Sequence, residues 1–380
     1  MIYFDNAATT FPKPPQVANA MYKCLTEFGG NPGRSGHKMS LNAAKIVYKM
    51  RENVAEFFGL SDPERVILTK NCTESLNIAI FGIMRNGGNA IVSHFEHNSV
   101  MRPLEYLKKS KICSYKVANA SFENPDLVAF EFERLIDSET KMIICTHASN
   151  VTGKMAPIAE ISRLCRRYGL IFCVDASQSA GIIKINMEKD GIDILCCPGH
   201  KALYGPSGTG LLLAKKNISL SPFIFGGTGS TSASLDMPDF YPDMLESGTV
   251  NVVGAAGLNE GVSFIKKVGI DRIYAHEMKL SKRFYSGLEN MPDILLYSSP
   301  PDLNSAVATV SFNVKAKTST DISGLFDKKN IAVRSGLHCS PFTHSFIGTR
   351  ETGTVRASFS YFNTLREVDN ALLFLESIKN

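Results

Sequence analysis

The sequence predicts an α/β fold: a large domain built on a mainly parallel sheet, followed by a smaller α+β domain. Three observations predict it. Between about residues 40 and 265, short apolar runs alternate with segments of helical periodicity. Those runs are β-branched and almost free of polar residues, as strands covered on both faces must be. From about residue 266 the texture changes to runs that suit a sheet packed against helices on one side. The expected divisions are an N-terminal segment 1–15 lying near the small domain, a large domain 16–265 and a small domain 266–380.

Taken in order, KIVYKMRENVAEFFG reads as an amphipathic helix stopped at Gly59, and RVILT as a short strand. TESLNIAIFGIM opens the next helix, with Thr73 as its expected N-cap. NAIVS, KMIICT, LIFCVD, IDILCC and TGLLLA are expected strands. PIAEISRLCRRYG, between two of them, is a helix with Pro157 near its start and Gly169 at its end. Strand, helix, strand in this order favours parallel pairing. Later, NSAVATVSFNV, IAVRSG and TVRASFS read as strands of the small domain, and EVDNALLFLESI as its closing helix.

Composition narrows the function. The chain is 44% hydrophobic and 20% charged, ordinary for a soluble globular protein. Its net charge of +5 comes from scattered basic residues, which gives nucleic-acid binding no support. No apolar run approaches the ~18 residues of a membrane span. The start, MIYFDNAATT, lacks the basic and apolar regions of a signal peptide. Nine cysteines, with no CxxC pair, mostly sit inside strand-like runs. That pattern fits a reducing compartment, so the expected location is the cytoplasm.

In an open α/β sheet, ligands bind outside the carboxyl ends of the strands. The polar residues expected there are Cys72, Thr73, His94, His97, His147, Asn150, Asp175, Gln178, His200 and Lys201. A helix start suits a phosphate, because free N–H groups and the helix dipole both favour an anion. A carboxylate, an imidazole and an amine on neighbouring strand ends suit a flat nitrogen heterocycle bearing an aldehyde. Together they point to pyridoxal 5′-phosphate. A metal site drawn from His94, His97, His338, Cys339 and His344 matches no zinc spacing and is not expected.

The same residues carry a resemblance that runs the length of the chain, through YFDNAATT, NPGRSGH, CTESLN, FEHNS, HASNVTG, VDASQ, GHKALYGPSGTG, GGTGS, ESGTVN, VRSGLHC and GTVRASF. In order and spacing they resemble the class V aminotransferase superfamily of fold type I pyridoxal phosphate enzymes, and within it cysteine desulfurases and selenocysteine lyases. The resemblance implies that Lys201 bonds the cofactor and moves the Cα proton, and that Asp175 keeps the ring nitrogen protonated. Gln178 would meet the phenolic oxygen, His97 would stack on the ring and shuttle protons, and Thr73 and His200 would bind the phosphate. Asn150, Arg334 and Arg356 would hold the substrate. Thr249, with the GGTGS loop, would reach a partner subunit's cofactor, implying a homodimer. One departure is Pro198, where relatives commonly carry a hydroxyl. Losing one neutral hydrogen bond, worth ~0.5–1.5 kcal/mol, is expected to weaken cofactor retention without abolishing it.

Cys339 decides which reaction to expect. It lies outside any strand core, beside His338 and five residues after Arg334, and both neighbours are expected to favour the thiolate. VRSGLHC resembles the short cysteine loop of group II desulfurases. The expected function is therefore conversion of L-cysteine to L-alanine, with sulfur held on Cys339 as a persulfide and passed to an acceptor protein, as in iron–sulfur cluster assembly. L-selenocysteine fits the same steps. The alternatives are an aminotransferase or C–S β-lyase that makes no protein persulfide, and a non-catalytic sulfur carrier or scaffold.

Overall fold

A computed structural model describes residues 1–33 and 36–378. Arg34 and Ser35 of the NPGRSGH stretch, and Lys379 and Asn380 at the end of the 266–380 segment, lie outside the described residues.

Seven strands form the large sheet. From one edge to the other they are Val66–Thr69, Gly210–Ala214, Ile194–Pro198, Ile171–Asp175, Thr140–Thr146, Asn89–Ser93 and Ser114–Ala118. All pairings are parallel except those of Gly210–Ala214, which runs against both neighbours. The carboxyl ends of Val66–Thr69, Asn89–Ser93, Thr140–Thr146, Ile171–Asp175 and Ile194–Pro198 therefore share one edge. The central strands are apolar because both faces are covered: Ile143 packs in the core on one side and Ile144 in that on the other. Each such fully buried side chain stabilises the fold by about 1.5–3 kcal/mol.

The helices start and stop where local chemistry dictates. Lys38–Phe58 ends at Gly59, with φ 64°, and Ile158–Tyr168 ends at Gly169, with φ 65°. This left-handed geometry is one that glycine adopts without a Cβ penalty. The helix Cys72–Met84 corrects one expectation. Its N-cap is Asn71, which accepts from Glu74 N at 3.0 Å, so Thr73 lies inside the first turn.

A second sheet is antiparallel, in the order Arg334–Gly336, Thr354–Ser358, Thr309–Val314 and Ile294–Leu296. Helices Ile270–Glu289 and Leu365–Ser377 cover it, with Phe284, Phe312 and Leu372 in their shared core. The N-terminus joins this half. Ile2–Tyr3 pairs with Ile331–Ala332, and Phe4 is wholly buried against Phe359 and Phe284. Helix Ile270–Glu289 links the two halves, since Ile273 belongs to a core of the large sheet and Met278 to the second core. Among the described residues, no helix is long and apolar enough to cross a membrane.

Candidate active site

The strand-end residues converge on one cavity of about 110 Å³. Thr73, His97, Asn150, Asp175, Gln178, His200 and Lys201 all line it. Ser99, Ser177 and Pro198 do so as well. An adjoining cleft of about 420 Å³ shares Thr73, His97 and Ser99 with the cavity and carries Cys339.

Asp175 ends its strand and is 2% exposed. Its Oδ1 accepts from Ser177 N at 2.9 Å, with the Cys72 thiol 3.6 Å away. Among the described residues nothing donates to Oδ2, which leaves an acceptor for a protonated ring nitrogen. Burial pushes the Lys201 ammonium down to about 8; Asp175 pulls it up and Arg356 pushes it further down.

His97 caps the helix Asn98–Lys109, its Nδ1 accepting from Ser99 N at 3.0 Å. That bond places the ring proton on Nε2. Burial holds this imidazole down at about 4, against the pull of Asp175, so it is neutral at pH 7. His200 is likewise lowered to about 4 by burial, then by Lys201 and Lys13. Among the described residues its buried Nδ1 has no hydrogen-bond partner.

Arg356 comes from the second sheet and is 1% exposed. Its Nη2 pairs with Asp5 at 2.9 Å, and its Nη1 donates to Asn150 O at 3.0 Å. The buried Nε has no partner among the described residues. Three of its five N–H groups thus remain for a carboxylate. Arg334 places Nη2 3.9 Å from Cys339 Sγ. Cys339 is exposed, whereas the other eight cysteines are buried.

His338 overturns an expectation. It is 3% exposed, and its Nε2 faces Thr354 O and Oγ1, each at 3.1 Å. Burial, with Arg356 close by, lowers it to about 2, so it is neutral and gives the thiolate no charge. Of the two neighbours, Arg334 alone supplies that charge. Thr249 does not line this cavity. It is exposed on a separate one with Gly248 and Asn251. His94 and His344 are structural, bonded to Ala118 O and to Thr349 Oγ1. Among the described residues, no group of three or more His, Cys, Asp or Glu could hold a metal ion.

Several site residues escaped the sequence reading. Ser99 and Ser177 lie two residues after His97 and Asp175, a spacing that strand-end reasoning could have included. Asp5 lies 351 residues from Arg356, and nothing local to either residue signals that contact.

These groups fit pyridoxal 5′-phosphate. The hydroxyls of Thr73, Ser99 and Ser177 and the His200 Nδ1, unpartnered among the described residues, are polar groups suited to a phosphate where Pro198 has no hydroxyl. Asp175, with its free Oδ2, and Lys201 line the same cavity, an acceptor suited to a protonated ring nitrogen and an amine suited to an aldehyde.

Comparison with known proteins agrees. Residues 2–371 match the family model of class-V aminotransferases. A Methanothermobacter thermautotrophicus protein named "Probable cysteine desulfurase" is 32% identical over 97% of this chain and 92% of its own. A Pyrococcus abyssi protein of the same name is 34% identical, over 100% of this chain and 94% of its own. Among solved structures, the apo cysteine desulfurase of Thermococcus onnurineus superposes with a TM-score of 0.91 at 32% identity, covering 99% of this chain and 94% of that one. The cavity, the residues around it and these likenesses lead to one conclusion: the chain belongs to the class-V aminotransferase family.

Proposed function

We propose that this chain is a pyridoxal phosphate-dependent cysteine desulfurase that converts L-cysteine to L-alanine and takes the sulfur onto Cys339 as a persulfide. The observation that carries the reading is the position of Cys339. It is the one exposed cysteine of nine, it lies in the cleft that shares Thr73, His97 and Ser99 with the cavity, and Arg334 is beside its sulfur. The names of the relatives support it.

Lys201, Asp175, Gln178, His97, Thr73 and His200 would hold the cofactor. When bound, it supplies an electron sink for the bonds at the substrate's Cα. Arg356 and Asn150 bind the substrate carboxylate, the guanidinium by its fork. Lys201, part of it neutral at pH 7, takes the Cα proton at Nζ. His97 offers a proton at Nε2. The Cys339 thiolate attacks the substrate sulfur. An S–S bond forms as the Cβ–S bond breaks, the electron pair goes to carbon, and a proton completes the methyl group. L-cysteine and one protein thiol thus give L-alanine and one persulfide, with no external oxidant. L-selenocysteine fits the same sequence.

The sulfur then passes to the thiol of an acceptor protein reaching the open cleft. The enzyme works as a homodimer, for which exposed apolar side chains are the support. Tyr22, Leu25, Leu41 and Tyr48 are exposed on helices Pro15–Glu27 and Lys38–Phe58. Beside them Thr228–Ser230 of the GGTGS loop line an open hollow of about 810 Å³ with Leu41 and Tyr48. Nine unpaired cysteines favour the cytoplasm.

Cys339→Ser tests the desulfurase reading, because a hydroxyl at neutral pH is a far poorer nucleophile than a thiolate. The variant should keep its cofactor absorbance, release almost no alanine from L-cysteine and show no persulfide by mass spectrometry. Alanine release at the wild-type rate would replace this reading with a lyase or transferase.

A further inference from the structure

The turn that presents Cys339 adopts a backbone that L-residues take up only when their surroundings hold them. His338 and Cys339 follow one another with φ of 49° and 59°. Ser340 N closes the turn onto Leu337 O at 2.9 Å, two further bonds hold the carbonyls of His338 and Cys339, and a third holds Asn150. Asn98 N donates to Cys339 O at 2.8 Å, Asn150 Nδ2 donates to His338 O at 2.7 Å, and Ser340 Oγ donates to Asn150 Oδ1 at 2.7 Å. Ser340 is fully buried. Among the described residues, no other donor reaches Asn150 Oδ1.

The serine therefore decides how the amide is oriented. With its oxygen held by Ser340, the Asn150 side chain must aim Nδ2 at His338 O. Without that hydroxyl the amide keeps one orienting bond instead of two, and its donor is held less firmly on the turn. The same Asn150 accepts from Arg356 Nη1 through its backbone oxygen. One residue thus ties the sulfur-accepting turn to the arginine proposed to hold the substrate carboxylate.

We propose that Ser340 is a positioning residue for sulfur transfer. Through Asn150 it holds the Cys339 thiol in register with a substrate anchored at Arg356. The proposal rests on the desulfurase reading. It makes a prediction that a purely structural role does not make, because Ser340 acts on the cysteine turn and leaves Lys201 and Asp175 untouched.

The test uses the cofactor-loaded enzyme with Ser340→Ala and Ser340→Thr. Misplacing a reacting group by about 1 Å can cost on the order of 10²-fold in rate. Persulfide formation on Cys339 and kcat for alanine release, both at saturating L-cysteine, should therefore fall at least ~10-fold in Ser340→Ala, with any rise in KM coming from the Asn150 contact to the carboxylate. Deuterium exchange at the Cα of L-alanine at saturating concentration, which needs no thiol, should stay at the wild-type rate. Ser340→Thr keeps the hydroxyl and should transfer sulfur within about threefold of wild type. A wild-type persulfide rate in Ser340→Ala overturns the proposal, as does an equal fall in exchange, loss of the fold, or a threonine variant as slow as the alanine one. If Cys339→Ser itself releases alanine normally, the fault lies with the desulfurase reading.

Discussion

Capture of the cofactor by Lys201 should depend on pH in a way the buried site dictates. Only the neutral amine can attack the aldehyde. Burial brings Lys201 from 10.5 to about 8. At pH 7 the neutral fraction is then about 9% rather than about 0.03%, a gain of roughly 300-fold. The sign is fixed: lowering a lysine leaves more reactive amine at every pH below the ordinary lysine range. The assay mixes enzyme stripped of cofactor with pyridoxal 5′-phosphate between pH 7 and 10 and follows the bound absorbance. A Cys339→Ser background keeps the thiol from adding to the aldehyde. The rate should rise about fivefold from pH 7 to pH 8 and level off above it, about elevenfold in all. His97 and His200, both neutral throughout this range, should add no inflection. Asp175→Asn removes the charge that pulls Lys201 up and should move the plateau to lower pH, whereas Arg356→Gln should move it higher. Borohydride reduction and peptide mapping must then find the cofactor on Lys201. A rate still rising at pH 10, or either variant shifting the opposite way, would refute the electrostatic account of the site.

Asp175→Ala should cut deuterium exchange at the Cα of L-alanine on the order of 10²-fold, the scale of losing one preorganised charge partner, and Arg356→Lys, which keeps charge but loses the fork, should raise KM for L-cysteine ~10-fold with kcat moving less. Light scattering should report a dimer, and Leu41→Asp combined with Tyr48→Asp should give a folded monomer with reduced activity; a wild-type monomer that stays active on dilution would remove the shared-site argument.

The sequence reveals the large sheet because burial on both faces leaves runs that admit no polar residue. Where burial is partial, the signal fades. Ser114–Ala118 is an edge strand whose first residue is exposed and next three half-buried, so SYKVA shows no apolar run and went unpredicted. Strand direction is equally hidden. Gly210–Ala214 is as apolar as its parallel neighbours, and only the short path from Pro198 to Gly210 hints that it runs back. Site residues at strand ends were legible because topology places them. Asp5 and Ser340 were not, because each acts on a residue distant in the chain. His338 shows the converse limit: its place beside Cys339 suggested a cation, but its burial makes it neutral.

The site's two kinds of support follow from that geometry. Asp175 lies at the end of a buried strand and Lys201 in the turn after another, so the packing of the large sheet fixes the groups that would hold the cofactor. Cys339 lies in a turn that no strand fixes, held by hydrogen bonds from Asn98 and Asn150 on the large-sheet side. A thiol that must meet the substrate and then offer its sulfur outward cannot be buried in a strand. It must be exposed and still aimed. The left-handed turn meets both needs, because its backbone is held while Sγ stays open to the cleft beside Arg334. Damage to the strand ends should therefore abolish Cα chemistry and sulfur transfer together. Damage to the turn should leave proton exchange intact and stop the sulfur alone.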